Sequence, residues 1–423
     1  MLSITVLSEE WWRLMKWVEV VHRDAFQYVA PVSHAYSSAT CARGTILSAT
    51  RDQILACIMD PDNRTIIYTL VPIVKGCGDD HALFALDMPL GLMKVLRRKS
   101  DHLTLELTGT RLVVRLPGPG KKQASFPMQW VDGHMMSPAP NRSESETLSV
   151  DAADLLDALR MVQPQIGFGC WSIFGLSTSP EGTALWMHTR NFTTCKLLTT
   201  SSPVSGDIQF CCHRKYTTRL ADIVRHMARS SPQLRIRVEP SSLMLSNDKD
   251  CVYLFSSVPE DRTPSLDLPI RAVGANHLAL TMEQSAWGLD RKSGQTMRQL
   301  LTRQDKYCVP LIRWALTTDE CEIGIRNSMV EWPLAASCRG TTSGTCADSL
   351  AVDIERKCTA ALLGGIATIP SKFPVVVRCD GRWLTVESPR SGFQMVARVM
   401  ETITGNKQRC DRNSAQVQTG GTS

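Results

Sequence analysis

The sequence predicts an α+β protein of three tandem domains, each with two helices and antiparallel sheets. Three observations predict it. A helix followed by strand, strand, turn and strand recurs three times; each recurrence is completed by a second helix and further strands of alternating apolar residues; and polar, proline-containing connectors separate the copies. At 423 residues the chain is also too long for one ordinary core, since domains usually run to roughly 100–200 residues.

In the first copy, Trp11, Met15, Val18, Ala25 and Val29 share one face of a helix over 9–30, which Pro31 closes. Strands follow at 44–49 and 53–59, then the turn Asp60-Pro61-Asp62-Asn63-Arg64 and a strand at 65–71. The second copy has a helical stripe at Leu155, Leu159, Val162 and Ile166, strands at 172–178 and 184–188, a turn through Asn191, and a strand at 193–199. The third has a helix around Leu278, Met282 and Ala286, strands at 309–317 and 321–325, a turn through Asn327, and a strand at 330–335. Asn63, Asn191 and Asn327 thus occupy comparable turns.

The second halves repeat in the same way. Helices at 89–99, 211–229 and 352–365 precede strands marked by Leu103-Leu105-Leu107 and Leu112-Val114-Leu116, by Leu234-Ile236-Val238, Leu243-Leu245 and Val252-Leu254, and by Val375-Val377, Leu384-Val386 and 393–399. Gly109 joins the first such pair. The connectors at 133–145 and 259–269 then place the domains at 1–142, 143–268 and 269–404, with 405–423 as a polar, disordered tail.

Composition narrows the function. With 43% hydrophobic and 21% charged residues the chain has the apolar mass to bury real cores. It lacks both an apolar run long enough to span a bilayer and a signal-peptide layout, so a cytoplasmic protein with no membrane partner is expected. The 15 cysteines are scattered without a Cys-x-x-Cys pair, which points to buried reduced thiols. A net charge of +6 is too modest to identify a partner by itself.

Enzyme signatures are weak. Gly118-Pro119-Gly120-Lys121-Lys122 puts prolines where a phosphate loop needs free backbone N–H groups, and Gly340-Thr341-Thr342-Ser343-Gly344 spaces its glycines unlike a nucleophile elbow. Cys211-Cys212-His213 is too contiguous to wrap a metal ion, and acid pairs such as Asp79-Asp80 and Asp319-Glu320 sit in turns. Neither a catalytic site nor a cofactor is expected.

Three α+β units, each of two helix-and-sheet halves, resemble the bacterial beta-type DNA sliding clamp from the first helix to about Met400. Val29-Ala30-Pro31 followed by strand, hairpin and Asp60-Pro61-Asp62-Asn63 resembles that family's first half-domain; Phe84-Ala85-Leu86-Asp87 and Phe126-Pro127 resemble its second. Arg190-Asn191-Phe192-Thr193 stands where the family carries a Thr-Asp-Gly-His turn, and Gln394-Met395-Val396-Ala397-Arg398 replaces a Met-Pro-containing terminus, the pattern of a divergent member.

The resemblance implies three clamp domains forming part of a ring, closed by a head-to-tail homodimer, which encircles double-stranded DNA without reading sequence and tethers a DNA polymerase after a clamp loader has placed it. The lining must then attract phosphate loosely. Candidates on the expected helices are Arg13, Lys16, Lys94, Arg97, Arg98, Lys99, Arg214, Lys215, Arg225, Arg229, Arg356 and Lys357; taken singly, each basic helix also reads as a solvated face. The resemblance further implies an apolar pocket for partner peptides at Ile173, Phe174, Thr193, Leu197, Pro264, Leu266, Leu268, Met395 and Val396, residues equally suited to core packing. A clamp-fold scaffold that binds peptides without encircling DNA is the alternative.

Overall fold

The computed structural model describes residues 2–28, 45–60, 64–76, 81–86, 101–117, 123–131, 147–162, 173–179, 182–189, 191–200, 208–213, 215–258, 278–287, 311–317, 320–325, 336–339, 341–342 and 349–404. The chain order is a strand–helix–three-strand module used repeatedly. The first module is β1 (Leu2–Leu7), α1 (Ser8–Tyr28), β2 (Thr45–Ala49), β3 (Gln53–Met59) and β4 (Thr65–Lys75). The second contributes β5 (Ala82–Leu86), β6 (His102–Thr108), β7 (Arg111–Arg115) and β8 (Gln123–Trp130). The third is β9 (Leu148–Asp151), α2 (Ala152–Val162), β10 (Ile173–Ser179), β11 (Gly182–Thr189) and β12 (Phe192–Leu198); the fourth is β13 (Ile208–His213), α3 (Lys215–Met227), β14 (Gln233–Val238), β15 (Ser242–Ser246) and β16 (Asp250–Phe255). The fifth has β17 (Leu278–Glu283), a 3-10 turn at Gln284–Trp287, β18 (Leu311–Thr317), β19 (Glu320–Ile325), β20 (Ala336–Arg339) and the short β21 (Thr341–Thr342). The sixth is β22 (Ser349–Glu355), α4 (Arg356–Ile366), β23 (Pro374–Cys379), β24 (Trp383–Ser388) and β25 (Phe393–Thr404).

Strand residues alternate inward and outward as a half-buried sheet requires: in β6, Leu103, Leu105 and Leu107 are buried between half-exposed or exposed neighbours. Gly109 turns that strand into β7 with φ of 55°, a conformation glycine adopts without a Cβ clash. Asp151 starts α2, its Oδ1 accepting the N–H groups of Ala153 (2.8 Å) and Asp154 (3.2 Å). Among the described residues no helix is long and apolar enough to cross a membrane.

The chain divides into two compact units. The first comprises Met1–Leu159, Ile173–Leu185 and Leu198–Thr263. Its main sheet runs β1-β6-β7-β8-β5-β2-β3-β4-β16-β15-β14-β9, and β1 also pairs with β4. The central seam is the antiparallel pairing of β4 with β16, from Thr65 opposite Leu254 to Thr69 opposite Asp250. On this seam α1 and α3 pack side by side, burying Trp11, Leu14, Met15, Trp17, Val18 and Val21 from one helix and Tyr216, Leu220, Ile223, Val224 and Met227 from the other. Each such side chain contributes roughly 1.5–3 kcal/mol on burial.

Two buried ion pairs lock the seam, and they cross it in opposite directions. Arg13 of α1 reaches Asp250 on β16, where the fully buried carboxylate also accepts bonds from the Thr69 hydroxyl and from Trp17 Nε1 (3.2 Å). Arg219 of α3 reaches Asp60 at the end of β3, whose Oδ1 already accepts the N–H groups of Arg64 (2.6 Å) and Thr65 (2.9 Å). Each helix therefore grips the hairpin belonging to the other module.

The second unit comprises Arg160–Ser172, Trp186–Leu197 and Pro264–Ser423. Here β12 pairs with β25, Phe192 opposite Ala397 and Lys196 opposite Phe393, and β25 continues along β24 and then β22. The core gathers around Trp287 and Trp314, whose rings lie 6.1 Å apart; Trp314 Nε1 donates to Thr359 Oγ1 of α4 (3.1 Å). Close approach of α4 to β25 rests on Gly365, where a Cβ would overlap the Met395 thioether and come within 2.9 Å of the Phe393 ring.

Several sequence expectations need correction. Leu278 and Met282 do not start a helix: β17 occupies them, pairing with β23 from Leu278 opposite Cys379 to Glu283 opposite Pro374, and only the 3-10 turn follows. A spacing of four residues satisfies both a helix face and one side of a strand, so it cannot separate them. The helices expected at 211–229 and 352–365 begin later, at Lys215 and Arg356, because Cys211–His213 completes β13 and Val352–Glu355 completes β22. The leading strand β1 went unexpected. The expected helix at 89–99, the strand at 330–335, both connectors, Asn63, Asn327 and the tail at 405–423 lie outside the described residues.

Two outcomes are expected in denaturant unfolding. Asp250→Ala removes the buried acceptor shared by Arg13, Thr69 and Trp17, leaving Glu10 as the carboxylate paired with Arg13, and lowers stability by about 3–5 kcal/mol. Gly365→Ala forces α4 off β25 and lowers it by about 1–3 kcal/mol; an unchanged midpoint for either variant would remove the role given to that residue.

Candidate nucleic-acid and peptide interfaces

The helices on which phosphate-binding cations were expected carry them unevenly. Arg13 faces inward: besides Asp250 it donates Nε to Glu10 (2.9 Å) and reaches Thr69 Oγ1 (2.8 Å) and the Leu70 carbonyl, leaving its side chain 12% exposed. Its structural role within the seam replaces the surface role expected for it. Lys16 is half-buried, paired with Glu19 (2.6 Å) and lying 5.1 Å above the Trp12 ring. Because Lys16 is committed on both sides, its charge is partly neutralised locally.

Two exposed cations lie close together, Arg225 on the last turn of α3 and Arg229 just beyond it, four residues apart and so on one face. Arg225 pairs with Asp222 one turn back, but half of its side chain remains open to solvent. Lys215 begins α3. Arg356 is half-buried and Lys357 exposed at the start of α4, where cations oppose the positive end of the helix dipole and so gain nothing locally. Arg214, Lys94, Arg97, Arg98 and Lys99 lie outside the described residues.

Next to the exposed pair on α3 is a histidine that the sequence analysis did not single out. His226 is buried, its ring edge-on to Trp17 with centroids 4.3 Å apart. Burial pushes its pKa down to about 4; Asp250 opposes this, whereas Arg229, Arg13 and Lys16 add to it. Arg219 was missed altogether, although it falls between Tyr216 and Leu220 on the buried stripe, where a charge needs a partner.

The residues expected to line a peptide pocket separate by face. In the second unit, Thr193 of β12 pairs with Val396 of β25, and both are buried. The Thr193 hydroxyl is engaged by His188 Nδ1 (2.8 Å), an imidazole whose pKa burial lowers. Leu197 is half exposed, its backbone N–H tied to the Gly392 carbonyl (2.8 Å), where Gly392 adopts φ of 61°. Met395 points the other way, into the core against Gly365, so its side chain is unavailable to a ligand. In the first unit, Phe174 is fully buried, and Ile173 is 9% exposed, on β10, opposite Cys212 and His213 of β13. Pro264, Leu266 and Leu268 lie outside the described residues.

Burial suppresses thiol chemistry among the described residues. The described cysteines Cys57, Cys195, Cys211, Cys212, Cys251, Cys321, Cys358 and Cys379 are buried and unbridged, and burial pushes Cys195, Cys358 and Cys379 up to about 12. Among the described residues no group of three His, Cys, Asp or Glu gathers to hold a metal ion.

Comparison with known proteins gives a sharp answer for the fold. No family model matches the chain, and no curated protein matches it in sequence. Solved structures do. The Bacillus subtilis DNA polymerase sliding clamp is 10% identical with a TM-score of 0.66, and the Thermotoga maritima DNA polymerase III beta subunit is 11% identical with a TM-score of 0.63; in each case 95% of this chain and 100% of the other are covered. The Helicobacter pylori beta clamp, solved with a DNA ligase peptide, is 10% identical over the same shares with a TM-score of 0.61. Coverage of 95% of this chain and all of each of the others at these scores means that this protein has the fold of the bacterial DNA polymerase III beta subunit, the sliding clamp.

Proposed function

We propose that the chain is a DNA polymerase processivity factor: a non-enzymatic cytoplasmic clamp whose three domains, at 1–142, 143–268 and 269–404, join head to tail with a second copy to encircle duplex DNA. A separate loader opens the ring, and polymerase binds through a peptide. The observation that carries this reading is the full-length match to beta clamps at the level of fold. A tether of this kind works by effective concentration, since a polymerase held beside the primer end rebinds instead of escaping.

The strand edges support the dimer. Within each unit a module ends on a seam strand paired across to another module, as β4 with β16 and β12 with β25. The corresponding strands β8 and β20 lack such a neighbour among the described residues: Gln123–Pro127 of β8 pairs with β7 alone, and β20 with β19 alone. Open edges invite pairing, and β8 against the β20 of a second copy would close a ring by the same device.

Arg225 and Arg229 are the cations best placed for loose phosphate contact, and Leu197 is the exposed apolar residue of the proposed peptide site. The full chain is expected to have a two-chain mass by light scattering and to be retained on nicked circular DNA, with release when the circle is cut. Equal retention on circular and linear DNA, or a stable monomer, would point to the peptide-binding scaffold instead. The double variant Arg225→Ala/Arg229→Ala should bind DNA more weakly at every sequence, with the slope of log affinity against log salt shallower by roughly 2. Leu197→Asp is expected to weaken polymerase-peptide binding about tenfold or more, measured by fluorescence anisotropy, without changing the two-chain mass.

A further inference from the structure

We propose that the contact between α1 and α3 is an acid-released joint: protonation of His226, whose buried ring stands edge-on against Trp17, separates the two helices while the β4–β16 seam beneath them persists. Nε2 of His226 is buried and has no hydrogen-bond partner among the described residues. Arg13 and Lys16 face the ring from α1, Arg229 from the end of its own helix, and Asp250 from β16. Of the three cations, Arg13 and Lys16 already have carboxylate partners in Glu10, Asp250 and Glu19.

Asp250 is the only carboxylate among these neighbours, and its Oδ1 is held by Arg13, Thr69 and Trp17. Its Oδ2 is buried without a partner among the described residues. A charged His226 therefore either turns toward that oxygen, giving up its seat against Trp17 and disturbing the bond that Arg13 makes to the same carboxylate, or leaves the interface for water. Both routes part the helices at this end. The other end is held independently by Arg219 and Asp60, and the sheet by backbone bonds from Thr65 to Thr69.

The sign follows from linkage. Burial holds His226 at about 4 in the folded joint, against about 6.5 for an exposed imidazole. The open state binds the proton first, so the contribution of the closed joint is complete above about pH 6.5 and is lost as pH falls toward 4. One proton taken up on opening makes the opening equilibrium about tenfold more favourable per pH unit within that window.

Hydrogen exchange on the full chain between pH 7 and pH 4.5, corrected for intrinsic rates, tests the joint. Amides of α1 and α3 are expected to lose protection by about tenfold per unit below pH 6.5, with β4 and β16 retaining theirs, and His226→Phe, which keeps a ring against Trp17, should flatten the profile. Loss of protection in α1 and α3 in step with β4 and β16, or an unchanged profile in the variant, would overturn the proposal. Should the variant not fold, the imidazole resonance of His226 in the unmodified protein decides: titration well below pH 6 supports the joint, and titration near 6.5 refutes it.

Discussion

The first compact unit depends on charge placed where charge is expensive. Asp250 and Asp60 are both fully buried, and each survives there because an arginine crosses from the helix of the opposite module to meet it. Neither aspartate is satisfied by its arginine alone. Asp250 also receives a hydroxyl and an indole N–H, and Asp60 two backbone N–H groups, which is the condition under which a buried pair offsets its desolvation. Such pairs add little net stability over an apolar contact, but they tie α1 to β16 and α3 to the end of β3 at defined points.

That constraint explains how far the sequence could be read. Strands with a strict period of two, such as those through Leu103-Leu105-Leu107 and Leu234-Ile236-Val238, were legible with near-correct ends, because one buried face imposes the pattern directly. Leading strands were not. In β13 and β22 the chain passes from strand into helix within a residue or two, and the apolar residues of the two elements run together with no punctuating Gly or Pro. Length was the missing arbiter: β17 holds six residues, too short for its spacing to distinguish one period from another.

The candidate interfaces were less legible than the fold, for a related reason. A basic residue on a helix announces a charge, and only its three-dimensional neighbours decide whether that charge faces solvent or a buried carboxylate. Arg13 and Arg225 look alike in sequence, each three residues from an acid on the same helix, yet one is walled in against the seam and the other is half open. The available signal was the face. Arg13 and Arg219 both adjoin wholly buried leucines on the packed side of their helices, whereas Arg225 and Arg229 fall on the opposite side. Met395 and Val396, adjacent in sequence, are directed to opposite faces of β25, and both are buried.

The length of β25 carries a further consequence. Its 12 residues serve three neighbours, lying between β12 and β24 along the first half and beside β22 along the second. A single inserted or deleted residue within it would invert every following side chain, expelling Met395-type anchors to solvent and drawing polar groups inward on several ladders together. Evolutionary drift in such a chain is thereby channelled: substitutions can accumulate until little resemblance in letters is left, whereas changes in length are confined to the connections between strands.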